Sequence, residues 1–212
     1  MLTLMEAPGP NCSLCPRLAQ FRQENCEAYP DWFNSPVPSF GRLDAELLIL
    51  GLAPGLKGAN RTGRPFTGDY AGDLLYPTLL HFGFAKGVYD SRPDDGVEMM
   101  NTRIANAVRC VPPQNKPVGA EIKACAPFLD SELKAMTNLK VIVALGTIAH
   151  NAAIGALGEK RSAWKFGHNA SHEIAGEPVV IDSYHCSRYN TNTGRLTEEM
   201  FHDVFRNVQS RL

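Results

Sequence analysis

The sequence predicts an α/β fold, specifically a three-layer αβα sandwich around a mainly four-stranded parallel sheet. Four short apolar runs alternate with stretches long enough for helices, which is typical of a parallel sheet covered on both faces. The chain has 212 residues, of which 44% are hydrophobic and 20% are charged, an ordinary globular composition. We therefore expect a single domain over residues 1–212 with a cysteine-bearing N-terminal extension.

The predicted elements alternate along the chain. Strands are expected at residues 46–52, 104–109, 140–145 and 178–183. Helices are expected at residues 73–82, 121–136 and 147–157, and a last amphipathic helix at 196–212. Because the crossovers between parallel strands are right-handed, the carboxyl ends of these strands meet at one edge, where such sheets bind ligands.

Composition also limits the cellular setting. The formal net charge is only −1, so no overall positive field is available to hold nucleic acid. No apolar run approaches the roughly 18 residues of a membrane span. Residues 1–10 lack a basic segment followed by an apolar one, so we expect no export signal and a cytoplasmic protein.

Cysteine spacing indicates a possible metal site. The six cysteines are Cys12, Cys15, Cys26, Cys110, Cys125 and Cys186. Cys12 and Cys15 form a C-x2-C pair, and Cys110 and Cys125, with 14 residues between them, are candidates for two further ligands. Four thiolates suit zinc or an iron–sulfur cluster equally well, and the alternative is that the second pair is simply buried in the core. Cys26 is expected to be a packed thiol.

The ends of the predicted strands carry the most unusual segments. The first strand is followed by residues 51–72, which contain six glycines and two prolines and favour exposed backbone N–H groups. This segment matches neither the phosphate-binding P-loop nor the dinucleotide-binding glycine motif. The second strand places Asn106 at the same edge, and the fourth places His185, Ser187 and Arg188 there. Taken singly, each feature is also compatible with a turn or a satisfied polar residue.

Charge is segregated toward these strand ends. Residues 51–68, 99–120 and 185–197 contain eight basic residues and no acidic one. The eight are Lys57, Arg61, Arg64, Arg103, Arg109, Lys116, Arg188 and Arg195. Scattered solubilising charge does not predict this segregation, so we expect a positive rim and a polyanionic partner.

Four ordered motifs resemble the uracil-DNA glycosylase superfamily, most closely its iron–sulfur branches, families 4 and 5. The motifs are G-L-A-P-G, G-R-P-F-T-G-D, N-A-V-R-C-V-P-P and H-x-S-x-x-N-x-x-T-G, and the resemblance covers about residues 12–197. Family 5 is favoured because Leu52 stands where family 4 has an acidic residue, and because N-R-T-G and T-G-R-L-T are present. One departure is Cys186, where the family usually has proline, which affects the expected rigidity of that loop.

The resemblance implies a monofunctional glycosylase that hydrolyses the N-glycosidic bond of a flipped-out base and leaves an abasic site for base excision repair. His185 is expected to donate a hydrogen bond to the base, Asn106 to bind its edge, and Asp69 to position water and stabilise the sugar cation. Phe66 is expected to stack on the base, and Gly51, Leu52 and Ala53 to line the pocket. The alternatives are a core role for Phe66 and helix capping for Asp69.

The resemblance also implies partners and a cofactor. The four cysteines Cys12, Cys15, Cys110 and Cys125 are expected to hold a structural [4Fe–4S] cluster. DNA containing damaged bases is the expected partner, and the chain is expected to be a monomer, nucleoid-associated if bacterial. The residues expected to contact DNA are Lys57, Arg61, Ser187, Arg188, Tyr189, Asn190 and Thr193, with Arg188 or Tyr189 entering the vacated base stack.

Alternatives remain open for the substrate, for the enzyme family and for the kind of protein. The substrate is expected to be uracil, with hypoxanthine or xanthine as further bases because family 5 has a wider range than family 4. A family-4-like enzyme restricted to uracil is the first alternative. A nonenzymatic nucleic-acid-binding zinc module or an electron carrier is another, although an electron carrier needs no glycine-rich pocket with converging Asn, His and Asp side chains.

Overall fold

The computed structural model describes residues 5–212. Residues 1–4, part of the N-terminal segment in which no export signal is expected, lie outside the described residues. The described helices are α1 (Pro16–Ala28), α2 (Ala59–Thr62), α3 (Tyr70–His81), α4 (Gly119–Ala135), α5 (Thr147–Ala156), α6 (Arg188–Asn192) and α7 (Glu198–Gln209). The described strands are β1 (Phe40–Gly41), β2 (Leu47–Gly51), β3 (Ala85–Lys86), β4 (Glu98–Met99), β5 (Thr102–Asn106), β6 (Val141–Leu145), β7 (Ser171–His172) and β8 (Val179–Ser183).

The main sheet confirms the predicted α/β fold with four central parallel strands. Its order is β1-β5-β2-β6-β8-β7, and the pairs β5–β2, β2–β6 and β6–β8 are parallel. The edge strands β1 and β7 are antiparallel and only two residues long, too short for sequence periodicity to indicate them. They were not predicted. A separate hairpin pairs β3 with β4.

Alternating side chains of the central strands face two helical layers. Leu47 and Ile49 of β2 pack with α3 and α7, whereas Leu48 and Leu50 pack with α4 and α5. The side-chain alternation of a strand buries both sets, so the sheet is covered on both faces. This produces the three predicted layers.

Element boundaries differ from the predicted ones by a few residues. The second central strand was predicted at 104–109 but runs from Thr102 to Asn106. Beyond it, the N–H of Val108 donates to the carbonyl of Leu52 at 2.9 Å, so an apolar buried segment continues although the strand has ended. Helix α3 begins at Tyr70 rather than at 73. None of the described helices combines the length and apolar character that crossing a membrane requires.

Candidate active site

A cavity of about 410 Å³ opens at the carboxyl end of the sheet. Asp69, Asn106 and His185, which come from three different strand ends, all line it. Gly51 and Asn106 are register partners at the ends of β2 and β5, and β8 ends two residues before His185. The parallel sheet therefore brings together three side chains that are distant in the sequence.

Asn106 lies against a position that only glycine can occupy. A Cβ atom built on Gly51 would overlap the amide oxygen of Asn106 and the ring of Phe66. The Asn106 side chain is buried, and its Oδ1 has no hydrogen-bond partner among the described residues. Gly51 thus permits an amide and an aromatic ring to converge on one point.

Phe66 occupies a strained part of the cavity wall. Its φ of 52° lies in the left-handed region, which is unusual for a bulky side chain. The ring centroid lies 6.1 Å from that of His185, and the residue is only 7% exposed. Strained backbone of this kind is often retained at functional sites, and here it directs an aromatic face toward the cavity.

Asp69 occupies the N-cap position of α3 without capping it through its side chain. Its Oδ1 has no hydrogen-bond partner among the described residues. The carboxylate is enclosed by backbone: a Cβ on Gly58 would overlap it, and one on Gly55 would lie 2.7 Å from Oδ2. Burial raises the pKa of Asp69 above its usual range, although the nearby amides of Gly72 and Ala71 oppose this. Oδ1 is thus left for a ligand although the carboxylate lies at the start of α3, and both the catalytic and the capping roles of Asp69 stay predictions.

His185 is a half-buried, neutral imidazole whose Nδ1 is enclosed. Burial lowers its pKa to about 4, so the ring is uncharged at neutral pH. Its Nδ1 has no partner among the described residues. The loop that carries it is fixed by Asn190, whose side-chain amide donates to the His185 carbonyl at 2.8 Å. The fully buried Cys186 anchors the same loop in the core at the position where proline was expected.

Unsatisfied buried groups are concentrated in this cavity. Within residues 5–212, four buried side-chain nitrogen or oxygen atoms lack a hydrogen-bond partner. Three of them belong to Asp69, Asn106 and His185, and the fourth is Nε of Arg109. Buried polar groups are normally paired, so a cavity lined by three residues with unpaired groups is suited to a polar ligand.

The predicted positive rim must be corrected at three arginines. Arg64 is buried and donates from both terminal nitrogens to Asp95 at 2.7 Å. Arg103 and Arg109 are also buried and both pair with the fully buried Glu132. These cations lie beside compensating carboxylates because unpaired charges are too costly to bury. Charge counting along the sequence could not detect these partners.

The other five basic residues of the predicted rim are exposed. They are Lys57, Arg61, Lys116, Arg188 and Arg195. Arg188 lines the cavity, and its guanidinium lies over the ring of Tyr70, 5.2 Å from the ring centroid. Five of the eight predicted cations are thus exposed, and Arg188 is the one among them that lines the cavity.

In the loop after His185, some of the residues predicted to contact DNA also make hydrogen bonds within the protein. The Ser187 hydroxyl accepts from the Asn190 N–H as the N-cap of α6, and the Thr193 hydroxyl donates to the Tyr189 carbonyl at 2.8 Å. Asn190, as described above, holds the histidine loop, so its amide is already engaged within the protein. Tyr189 is 72% exposed, so its ring is accessible to a binding partner.

Some lining residues were not predicted. Tyr70, Asn115 and Pro54 also line the cavity, while Leu52 and Ala53 do so as expected. Tyr70 directly follows Asp69 in the glycine-rich segment, so its position next to a predicted site residue could have indicated it. Asn115 lies in a loop after β5, and no pattern in the sequence indicated its position.

The four predicted metal ligands converge at the N-terminal side of the molecule. Cys12, Cys15, Cys110 and Cys125 line one small cavity between α1, α4 and the loop after β5. Burial raises the pKa of Cys15, and the neighbouring Cys125 raises it further. Arg22 donates toward the Cys110 sulfur at 3.5 Å. Four cysteines that line one cavity are a donor set that fits a metal or cluster site, where binding would deprotonate the thiols.

A second group of metal-ligating residue types lies in the core. Within residues 5–212, the only metal-ligand group whose atoms all lie within 4.8 Å of one another is His150, His172 and Asp182. That buried group is held by hydrogen bonds, since His150 Nδ1 and His172 Nε2 lie 2.7 and 2.8 Å from the Asp182 oxygens.

Comparison with known proteins agrees with this geometry. The family described as Uracil DNA glycosylase superfamily matches residues 38–209. A Type-5 uracil-DNA glycosylase of Thermus thermophilus is 45% identical over 91% of this chain and 90% of its own length. One from Pyrobaculum aerophilum is 40% identical over 92% and 87%. A Type-4 uracil-DNA glycosylase of Sulfurisphaera tokodaii is 30% identical over 92% and 79%. The greater similarity to Type-5 proteins confirms the predicted relationship.

Proposed function

The chain belongs to the uracil DNA glycosylase superfamily, and on that basis we propose that it excises deaminated bases from DNA. It hydrolyses the N-glycosidic bond of a base rotated out of the helix and leaves an abasic site. The observation that carries this proposal is the convergence of unpaired groups on Asp69, Asn106 and His185 at one cavity.

Each group has a role that follows from its chemistry. The departing base gains negative charge, so a neutral His185 stabilises it by donating a ring N–H and needs no protonation. The Asn106 amide offers a donor and an acceptor to the edge of the base. The buried Phe66 ring stacks on the base and holds it in the cavity.

Asp69 acts on the sugar side of the bond. As the bond breaks, the deoxyribose becomes cationic and water must attack it. The Asp69 Oδ1 atom, which has no hydrogen-bond partner among the described residues, is free to accept from that water and to stabilise the cation. Leu52, which lines the same cavity, has no group able to do this.

The proposed substrates are uracil and the deaminated purines hypoxanthine and xanthine. The cavity volume of about 410 Å³ lies within the range of small-molecule sites, roughly 300–1,000 Å³, so it accommodates a two-ring base. Leu52, Ala53 and Gly55 contribute no polar side chain to the cavity wall. Such a wall selects a base by its shape and does not restrict the substrate to pyrimidines. Restriction to uracil, as in a Type-4 enzyme, is the alternative.

The reaction ends at the abasic site. Glycosylases that also cleave the strand use an amine to form a covalent intermediate, whereas the described residues that line this cavity include no lysine. We also propose that the enzyme acts as a monomer. As a DNA-repair enzyme it works in the cytoplasm, at the nucleoid if the source is bacterial.

The four cysteines hold a [4Fe–4S] cluster in this proposal. What supports it is the family resemblance of the four cysteines and their shared cavity, where they join the N-terminal arm to the loop after β5. When bound, the cluster supplies a structural link between these segments. Val108 and Arg109 lie between Asn106 and Cys110, so this link also steadies the wall that carries Asn106.

The exposed cations position the DNA. Lys57, Arg61 and Arg188 are placed to contact phosphates, and Tyr189, which is 72% exposed, enters the base stack. Ser187 and Thr193 add polar groups beside the histidine loop, and Asn190 supports them by holding the loop.

A panel of oligonucleotides tests the proposal. Single- and double-stranded DNA carrying one uracil, hypoxanthine or xanthine is incubated with the protein and treated with alkali, which breaks strands only at abasic sites. We expect breaks at uracil and at the deaminated purines, none without alkali, and none in undamaged DNA. Breaks at uracil alone support the Type-4-like alternative, and DNA retention without breaks supports a nonenzymatic binding module.

A separate measurement tests the cluster. Purified protein is expected to be brown and to contain iron and sulfide, whereas a zinc protein is colourless. The Cys12→Ser variant should give much less folded protein, while its folded fraction retains most of its activity. Cys26→Ser is the matched control, since Cys26 is exposed and lies outside the cysteine group. Normal folding of Cys12→Ser with lost activity contradicts a structural role.

A further inference from the structure

Two buried asparagines connect helix α1 to the glycine-rich segment. The Asn60 side-chain amide donates to Oδ1 of Asn34 at 2.9 Å, and both residues are at least 96% buried. The Asn34 amide in turn donates to the carbonyls of Asn25 and Tyr29 at the end of α1, at 3.2 and 2.7 Å. Asn34 has a φ of 45°, a conformation that asparagine tolerates better than most residues.

Backbone hydrogen bonds strengthen the same connection. The Asn34 N–H donates to the Asn60 carbonyl at 3.0 Å, and the Phe33 N–H donates to the Arg61 carbonyl at 3.1 Å. The turn α2 is thereby fixed against the segment after α1 by both side chains and backbone. Substitution of either asparagine leaves a buried partner unsatisfied.

The fixed turn forms the wall against which the Asp69 carboxylate rests. The Asn60 N–H donates to the Gly55 carbonyl at 3.1 Å, and the Gly58 carbonyl accepts from Arg61 and Thr62 at 3.0 Å. Gly55 and Gly58 are the two residues whose backbone encloses the Asp69 carboxylate. Asp69 Oδ1 has no hydrogen-bond partner among the described residues, so packing against this turn acts together with the amides of Ala71 and Gly72 to position the carboxylate.

We propose that the Asn34–Asn60 pair is a positioning device for Asp69. Neither asparagine lines the cavity, so both act through the turn and not on the substrate. A displacement of about 1 Å at a reacting group lowers rates by up to about 10²-fold, so loosening this turn affects catalysis more than binding. The inference rests on the proposed function, in which Asp69 positions water.

The test is a double-mutant cycle measured by single-turnover excision of uracil from duplex DNA. Asn60→Ala and the milder Asn60→Ser are compared in the wild-type and Asp69→Ala backgrounds, with thermal unfolding recorded for each. Asn207→Ala is the matched control. Asn207 also forms an Asn–Asn hydrogen bond between elements, to Asn169 at 3.1 Å, and does not line the cavity.

We expect Asn60→Ala to lower the maximal rate about tenfold and Asn60→Ser to lower it less. In both variants the half-saturating protein concentration should change by less than about threefold. In the Asp69→Ala background the further effect of Asn60→Ala should fall below about twofold, because the group it positions is gone. Asn207→Ala should lower the unfolding temperature without changing the maximal rate.

Two results overturn the inference. One is an unchanged maximal rate in folded Asn60→Ser or Asn60→Ala. The other is an equal loss in the wild-type and Asp69→Ala backgrounds, which indicates general loosening of the structure. Wild-type protein that releases no uracil instead refutes the proposed function, and this outcome is visible before any variant is measured.

Discussion

The two sides of the base cavity are built differently. The glycine wall (residues 51–69) is held from behind by buried polar groups, including the Arg64–Asp95 pair and the Asn34–Asn60 pair. The histidine wall (residues 185–197) consists largely of the exposed short helix α6 and its flanking loop, although His185 and Cys186 point inward. The comparison indicates that the first wall fixes reacting groups and that the second adds the contacts to DNA.

The largest effect is expected at Asp69, where a catalytic role predicts a loss of rate and a capping role predicts a loss of stability. We expect Asp69→Ala to lower the single-turnover rate of uracil excision on the order of 10²-fold. Its stability should change little, because Oδ1 of the removed carboxylate has no hydrogen-bond partner among the described residues. If Asp69 were only a helix cap, the variant would instead lose about 1 kcal/mol of stability and keep its rate within a few-fold.

The next effect tests the support behind the glycine wall. Asp95→Ala leaves the Arg64 guanidinium buried without its partner, so we expect a loss of about 3–5 kcal/mol in the free energy of unfolding. Denaturant unfolding measures this loss, and the excision rate should fall with it because Phe66 lies within the same turn. Asp44→Ala is the control, since its pair with Arg42 is exposed. Equal small losses in both variants contradict a supporting role.

The pH dependence of the rate tests the charge states of Asp69 in the glycine wall and of His185 in the histidine wall. Asp69 must be charged to act, and burial raises its pKa, so the rate should fall as the pH drops through a midpoint above the usual value of about 3.9. His185 acts as a neutral group, and with its pKa lowered to about 4 it stays neutral throughout the physiological range. A rate that instead falls as the pH rises through about 6.5, where an ordinary histidine loses its proton, indicates that a charged imidazole is required.

The smallest effect concerns the histidine wall. Removal of one phosphate contact by Arg188→Ala should lower the slope of log affinity against log salt by about 0.9. The stability and the maximal rate should change little, because Arg188 is exposed. Arg42→Ala, at an exposed residue paired with Asp44, should leave the slope unchanged. A large loss of stability in Arg188→Ala contradicts the proposed division between the walls.

The sequence predicted what depends on periodicity and motif order. The four central strands, the helical layers and the convergence of Asp69, Asn106 and His185 follow from apolar runs that end at the same edge of a sheet. The sequence could not predict which arginines are buried, because their burial depends on carboxylate partners elsewhere in the chain. Arg64 pairs with Asp95 and Arg109 with Glu132, and the partners lie 31 and 23 residues away. The two-residue edge strands and the position of Asn115 also depend on tertiary packing alone.

The direct test is a crystal structure of the Asp69→Asn variant bound to duplex DNA with one deoxyuridine. We expect the uracil inside the cavity, stacked on Phe66, with the Asn106 amide at about 2.7–3.2 Å from its edge. The variant side chain at 69 should face the sugar. A uracil that remains stacked in the duplex, or that binds at another surface while the cavity stays empty, contradicts the account.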